Sequence, residues 1–178
     1  MNRRRLFAGL VSLGFTGCLG DGGATDAPLV SEGKDDVPID RSPDELLPSG
    51  DNLDGGWEKE SDGDQCREFS RFGDLGEYRL RTCAWVLSDS NEAGEEYDSR
   101  VNESRFDTGQ LHDEAPEIGV VAVVVYGGTE IDVIFRDANV VGRVEYELHA
   151  DGMIAEEDIP SPEDAIVHAV TMHRRWRE

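Results

Sequence analysis

Four imidazoles, His112, His149, His168 and His173, are the side chains here best suited to acid–base or metal chemistry. Their spacing does not assemble them. His168 and His173 stand five apart, which a helix does not bring onto one face, and the His-Glu-x-x-His pattern of metal-dependent hydrolases is missing. The chain also lacks a serine nucleophile turn, a phosphate-cradling glycine loop and a dinucleotide fingerprint. The acidic stretches DNLDGG (51–56) and SDGDQC (61–66) miss the third or fifth ligand of a calcium loop. These residues predict no metal site, no cofactor and no catalytic group, and the histidines read as structural or solvated.

One triplet invites a catalytic reading. Asp107-Thr108-Gly109 resembles the active loop of aspartic proteases, which need two such loops so that two carboxylates share a proton. A single copy, preceded by polar Asn-Glu-Ser-Arg rather than by an apolar strand, fits a helix-ending turn with Gly109 as its stop signal. Asn102-Glu103-Ser104 is a glycosylation acceptor triplet, though placed late in an expected helix. Of the three tryptophans, Trp57 follows Gly55-Gly56, so it is the one expected to stay partly exposed and to serve a binding face.

The amino terminus differs from everything after it. Arg3, Arg4 and Arg5 precede an apolar run from Leu6 to Gly17, too short for a membrane span of about 20 residues but suited to an export signal. Arg4-Arg5-Leu6-Phe7 resembles the twin-arginine signal, with Phe7 at its hydrophobic position. Phe15-Thr16-Gly17-Cys18 resembles a lipobox, with Phe15 where an aliphatic is usual. The resemblance implies removal of residues 1–17, lipidation of Cys18, and a protein anchored to the cell membrane and facing outward. Two acyl chains, at about 0.8 kcal/mol per buried methylene, suffice for stable anchoring. With Cys18 so used, Cys66 and Cys83 remain, in a compartment where disulfides persist. Their pairing would stabilise by roughly 3 kcal/mol. The alternatives are two free buried thiols or half of a metal site, the latter without nearby histidine support.

Acidic residues number 39 against 17 basic, for a net charge of −22, and loss of Arg3, Arg4 and Arg5 with the leader takes it to −25. Such a charge keeps a chain soluble but makes it repel itself. In molar salt, where the Debye length is about 3 Å, that penalty largely vanishes. Lysine is confined to Lys34 and Lys59. An acidic, lysine-poor, arginine-retaining composition resembles proteins of salt-loving archaea, and leader, anchor and acidic stalk together resemble the exported lipoproteins of those organisms. The charge excludes a nucleic-acid partner, which needs a basic stripe.

Residues 18–45 are rich in Gly, Asp and Pro without apolar periodicity, so they read as a disordered acidic stalk. About 27 flexible residues would reach some 30 Å. Residues 46–178 read as a single α+β domain: an antiparallel sheet of five or six strands, two helices packed on it, linked by the disulfide. CREFSRFG and EYRLRTCAWVLSD suit a hairpin turning at Gly73, Asp74 and Gly76. Asp89–Phe106 suits a helix capped by Asp89, with a narrow stripe of Ala93, Tyr97 and Val101. IGVVAVVVY, apolar nearly throughout, is expected to be central or covered on both sides, with a tight turn at Gly127-Gly128 and a looser one at 137–139. In the next strand Val144, Tyr146 and Leu148 point inward while Arg143, Glu145 and Glu147 form a wet face. Ser161-Pro162-Glu163-Asp164 starts a last helix whose apolar face carries Ile166, Ala169, Val170, His173 and Trp176. The expected molecule is a monomeric, non-catalytic surface module that binds a small ligand or an envelope protein. The rival readings are a secreted hydrolase and an adhesive or structural component.

Overall fold

Seven of the strands pair in one antiparallel ladder. The computed structural model describes residues 30–53, 55–112, 115–150 and 152–178. Its elements are β1 (Ser31–Glu32), α1 (Pro43–Leu46), β2 (Glu58–Asp62), β3 (Cys66–Gly73), β4 (Gly76–Val86), α2 (Ser90–Asp107), β5 (Gln110–Leu111), β6 (Ile118–Gly119), β7 (Val121–Gly127), β8 (Glu130–Asp137), β9 (Val140–Ala150) and α3 (Pro162–Trp176). The main sheet has seven strands in the order β2-β3-β4-β9-β8-β7-β5, and β1 pairs with β6 in a small parallel sheet. The α+β class holds. The sheet is one strand wider than the upper expectation because short β5 adds an edge beside β7, while GWEKE, readable as a possible short strand, supplies β2 at the other edge; short α1 joins the two long helices.

Cys66 and Cys83 are direct partners in the β3–β4 register and are bonded, with Cα atoms 4.1 Å apart. Asp74 and Leu75 form the hairpin turn. The turn at Gly128-Thr129 uses a left-handed Gly128 (φ 61°). The β8–β9 connection is as tight, because Asp137 pairs with Val140 and leaves only Ala138 and Asn139 between. Ala138 takes φ 49° there, a conformation alanine rarely adopts.

The two long helices take opposite faces. On one, α3 covers Phe69, Leu80, Val133, Phe135, Val144 and Tyr146 in the larger core. Its cap is the expected one: Ser161 begins it, Asp164 Oδ2 accepts from Ser161 N at 2.8 Å, and Pro162 stands at the first position. On the other face, α2 buries Ala93 and Tyr97 against Ile134 and Val141. Asp89 caps α2 by accepting from the amides of Asn91 and Glu92. Glu92 reaches back to Ser88 N rather than to the cap residue.

β9 lies at the centre of the sheet and, with β8, is its best-buried strand. β7 lies next to an edge instead, with Val121 and Tyr126 partly exposed. Its apolar run serves both cores without being central.

The folded unit starts well before Leu46. Residues 31–45, read above as stalk, form a strap across the carboxyl end of α3 and the β8–β9 turn. Ile39 is 5% exposed, and its N–H and C=O both bond the side chain of Asn139, at 2.8 and 3.3 Å. Gly33 is required here, since a Cβ would lie 2.5 Å from Gly119 C.

Candidate functional site: an acidic recess on the open sheet face

α2 packs mainly on β7, β8 and β9 and reaches β4 through Arg100, 4.3 Å over the Trp85 ring, so the same face of β2, β3 and the hairpin half of β4 is left uncovered. Strand alternation puts charge there. Register aligns Ser70, Arg79, Glu147 and Glu130 in one row across the sheet, and Glu68, Arg81, Glu145 and Asp132 in the next. The result is a recess of about 410 Å³ whose charged lining is Glu60, Glu68, Glu77, Glu130, Glu145 and Glu147 against only Arg79 and Arg81.

A hydrogen-bonded network runs from α2 to the far edge. Ser104 Oγ donates to Asp132 Oδ2 at 2.5 Å, and Arg143 Nη2 bridges Asp132 Oδ2 and Glu145 Oε1, each at 2.7 Å. Arg81 then bridges Glu145 (3.2 Å) and Glu68 (3.4 Å), and Ser61 donates to Glu68 at 3.1 Å. Arg143, expected on a wet face, is 8% exposed because Asp132, fully buried, needs its charge. Burial raises the Glu145 carboxyl above its ordinary range; Arg143 opposes that and Asp132 adds to it. Burial also raises Glu130, against a bond from Thr108 and with help from Asp132 and Glu147. The recess holds more negative charge than its arginines balance.

A second constellation was invisible in the sequence. His173, fully buried, places Nδ1 2.7 Å from Ser31 Oγ and Nε2 2.8 Å from Asp137 Oδ2. Asp137, also fully buried, accepts from Arg177 through both oxygens, at 2.5 and 2.6 Å, and from Lys34 N at 2.8 Å. Burial would raise this carboxyl, but the bonds from His173, Arg177 and Lys34 outweigh it and hold it at about 2. The residue types are those of a hydrolytic triad, yet the imidazole is walled in by Phe135 and Trp176 and both carboxylate oxygens are engaged. It acts as a latch that fixes the strap to α3. Ser31 lies in the stretch read as stalk and Asp137 in a turn, so only apolar Val37 and Ile39 hinted that this segment folds.

Trp57 is not the exposed platform expected. It is 8% exposed, edge-on to Tyr146 and His168, with the Arg71 guanidinium 4.6 Å above its ring. Arg71 also donates to Tyr146 Oη at 3.0 Å. This apolar face is filled from within the chain.

The remaining sites are scattered. Asp107 ends α2, Thr108 caps it and Gly109 has φ 144°, so the Asp-Thr-Gly triplet is a helix stop. His112 packs on Tyr126, and His149 lies 2.8 Å from Glu147 near the recess. Asn102 is exposed on α2, but Ser104 of the same triplet is fully buried and bonded to Asp132, so the folded chain does not present the complete acceptor. Arg4, Arg5, Phe7 and Cys18 lie outside the described residues. Among the described residues, no cluster of three or more His, Cys, Asp or Glu is arranged to hold a metal ion, and no helix is long and apolar enough to cross a membrane.

No family model matches this chain, and neither a curated protein nor a solved structure is similar to it.

Proposed function

We propose that the chain is a lipid-anchored module of the cell surface that binds a ligand or an envelope protein without transforming it. The observation that carries this reading is the recess: a concave, polar face, rigid because its side chains stand on paired strands, left open where α2 stops. Its charged groups already bond one another, Ser and Thr hydroxyls or His149, and among the described residues no imidazole joins a hydroxyl to a carboxylate there in the manner of a catalytic site. The leader supports the anchor, through Arg4-Arg5 and Phe7 for export and Cys18 for acylation. The acidic surface supports a salt-loving host.

The recess and Val30 also lie at opposite ends of the strands. Val30 enters beside Glu117, Asp137 and His173, whereas Glu130 and Glu147 stand at the other end of β8 and β9. Seven residues of strand separate Glu130 from Asp137, about 23 Å. A domain held at its Val30 end turns the recess away from the bilayer.

Two measurements test this. Intact mass of the membrane-extracted protein is expected to show a chain beginning at an acylated Cys18. A photo-crosslinking residue at Glu147 is expected to trap a discrete adduct in native membranes at high salt, while one at Asp98, on the outer side of α2, traps none. Equal labelling from both positions, or none from Glu147, refutes the binding face.

A further inference from the structure

The recess lacks cations in a patterned way. Glu60, Glu130 and Glu147 are bonded by Ser70, Thr108 and His149, not by arginine or lysine. Asp132, beside Glu145 on the same sheet face, is fully buried outside this lining, where Ser104 and Arg143 already hold its Oδ2. The two arginines of the lining are already engaged, Arg79 by Glu77 and Arg81 by Glu68 and Glu145. Cation is therefore the missing component of the lining.

The carboxylates also repeat with a strand's period. Glu145 and Glu147 are two residues apart on β9 and both line the recess, a spacing of about 7 Å. An extended chain presents alternate side chains at that same interval. At the hairpin end of the face Phe72 aligns with Glu77 and His149 and is 83% exposed, an apolar rim for the aliphatic stem of a long basic side chain.

We infer that the recess docks an extended, arginine- or lysine-bearing segment of a partner protein, with alternate basic side chains entering between the glutamate rows. This rests on the binding reading above and names its occupant. Contact ion pairs, bidentate where arginine is used, give specificity even where salt screens longer-range attraction.

The test is fluorescence anisotropy of a labelled peptide alternating Gly and Arg, titrated with the chain in molar KCl. Saturable binding is expected. The double variant Glu130→Gln, Glu147→Gln should weaken it at least tenfold, and Phe72→Ala several-fold. The control Glu95→Gln, Glu163→Gln, which removes the same charge from exposed positions elsewhere, should leave it unchanged. Thermal melts of each variant verify folding. Equal weakening by both double variants would show diffuse attraction and overturn the proposal, as would equal competition by free spermidine. Failure of the peptide to bind overturns the basic-segment assignment; if Glu147 still crosslinks in membranes, the binding face itself survives.

Discussion

Asp137 shows how much one buried carboxylate can organise. Three elements converge on it: the strap through Lys34 N, α3 through His173 and Arg177, and the β8–β9 turn that carries it. Its value falls from an ordinary 3.8 to about 2 on folding. A lowered carboxyl contributes stability that is present above about pH 4 and is lost as pH drops through 3.8 toward 2, here about 2 kcal/mol. Glu130 and Glu145 are raised and act with opposite sign, since protonating them relieves the recess. Urea unfolding at pH 5 and pH 2.5 should therefore show acid destabilisation that shrinks in Asp137→Asn. An equal acid loss in variant and parent would remove Asp137 from this role. The sequence places Asp137 in a loose turn, whereas the fold makes it the last residue of β8, beside a two-residue turn. The sequence does not show that His173, 36 residues away, and Ser31, more than 100 away, meet there.

At the scale of elements, the strap is the main departure from the sequence reading. Residues 31–45 carry Asp, Gly and Pro with almost no periodicity, which locally predicts disorder. Their order comes from partners far along the chain: Asn139 mimics a strand's backbone bonding toward Ile39, and Arg177 donates to the carbonyls of Lys34 and Val37 at 2.9 and 3.0 Å. A chain starting at Val30 should fold like the full one. A chain starting at Leu46 should lose roughly 3 kcal/mol or more, because it uncovers His173 and leaves Asp137 with fewer donors. Thermal unfolding of the two truncations checks this, and equal melting temperatures would return the strap to the status of a spacer. By contrast the hairpin, both long helices and their caps were legible, because their signals lie within a few residues of one another.

The whole molecule is governed by its charge. With 39 acidic residues against 17 basic, folding concentrates repulsion that the extended chain spreads out. Raising KCl from about 0.1 M to 1 M shortens the screening length from about 10 Å to 3 Å. The melting temperature should rise steeply over that range and then flatten. A melting temperature independent of salt would mean that the ion-pair network, not net repulsion, sets stability. The edges differ too. β2 exposes five polar or charged residues, Glu58 to Asp62, which blocks pairing with another sheet.

The sequence by itself determined the class of fold, the cysteine pair, the helix caps and the acid-rich character of the surface, because each depends on near neighbours or on composition. Tertiary structure alone decided that α2 and α3 lie on opposite faces, that the strap belongs to the domain, and that glutamates from five strands share one recess. Those outcomes depend on strand order and register, which bring together side chains from positions 60 to 147 that local alternation could only mark as facing one way or the other.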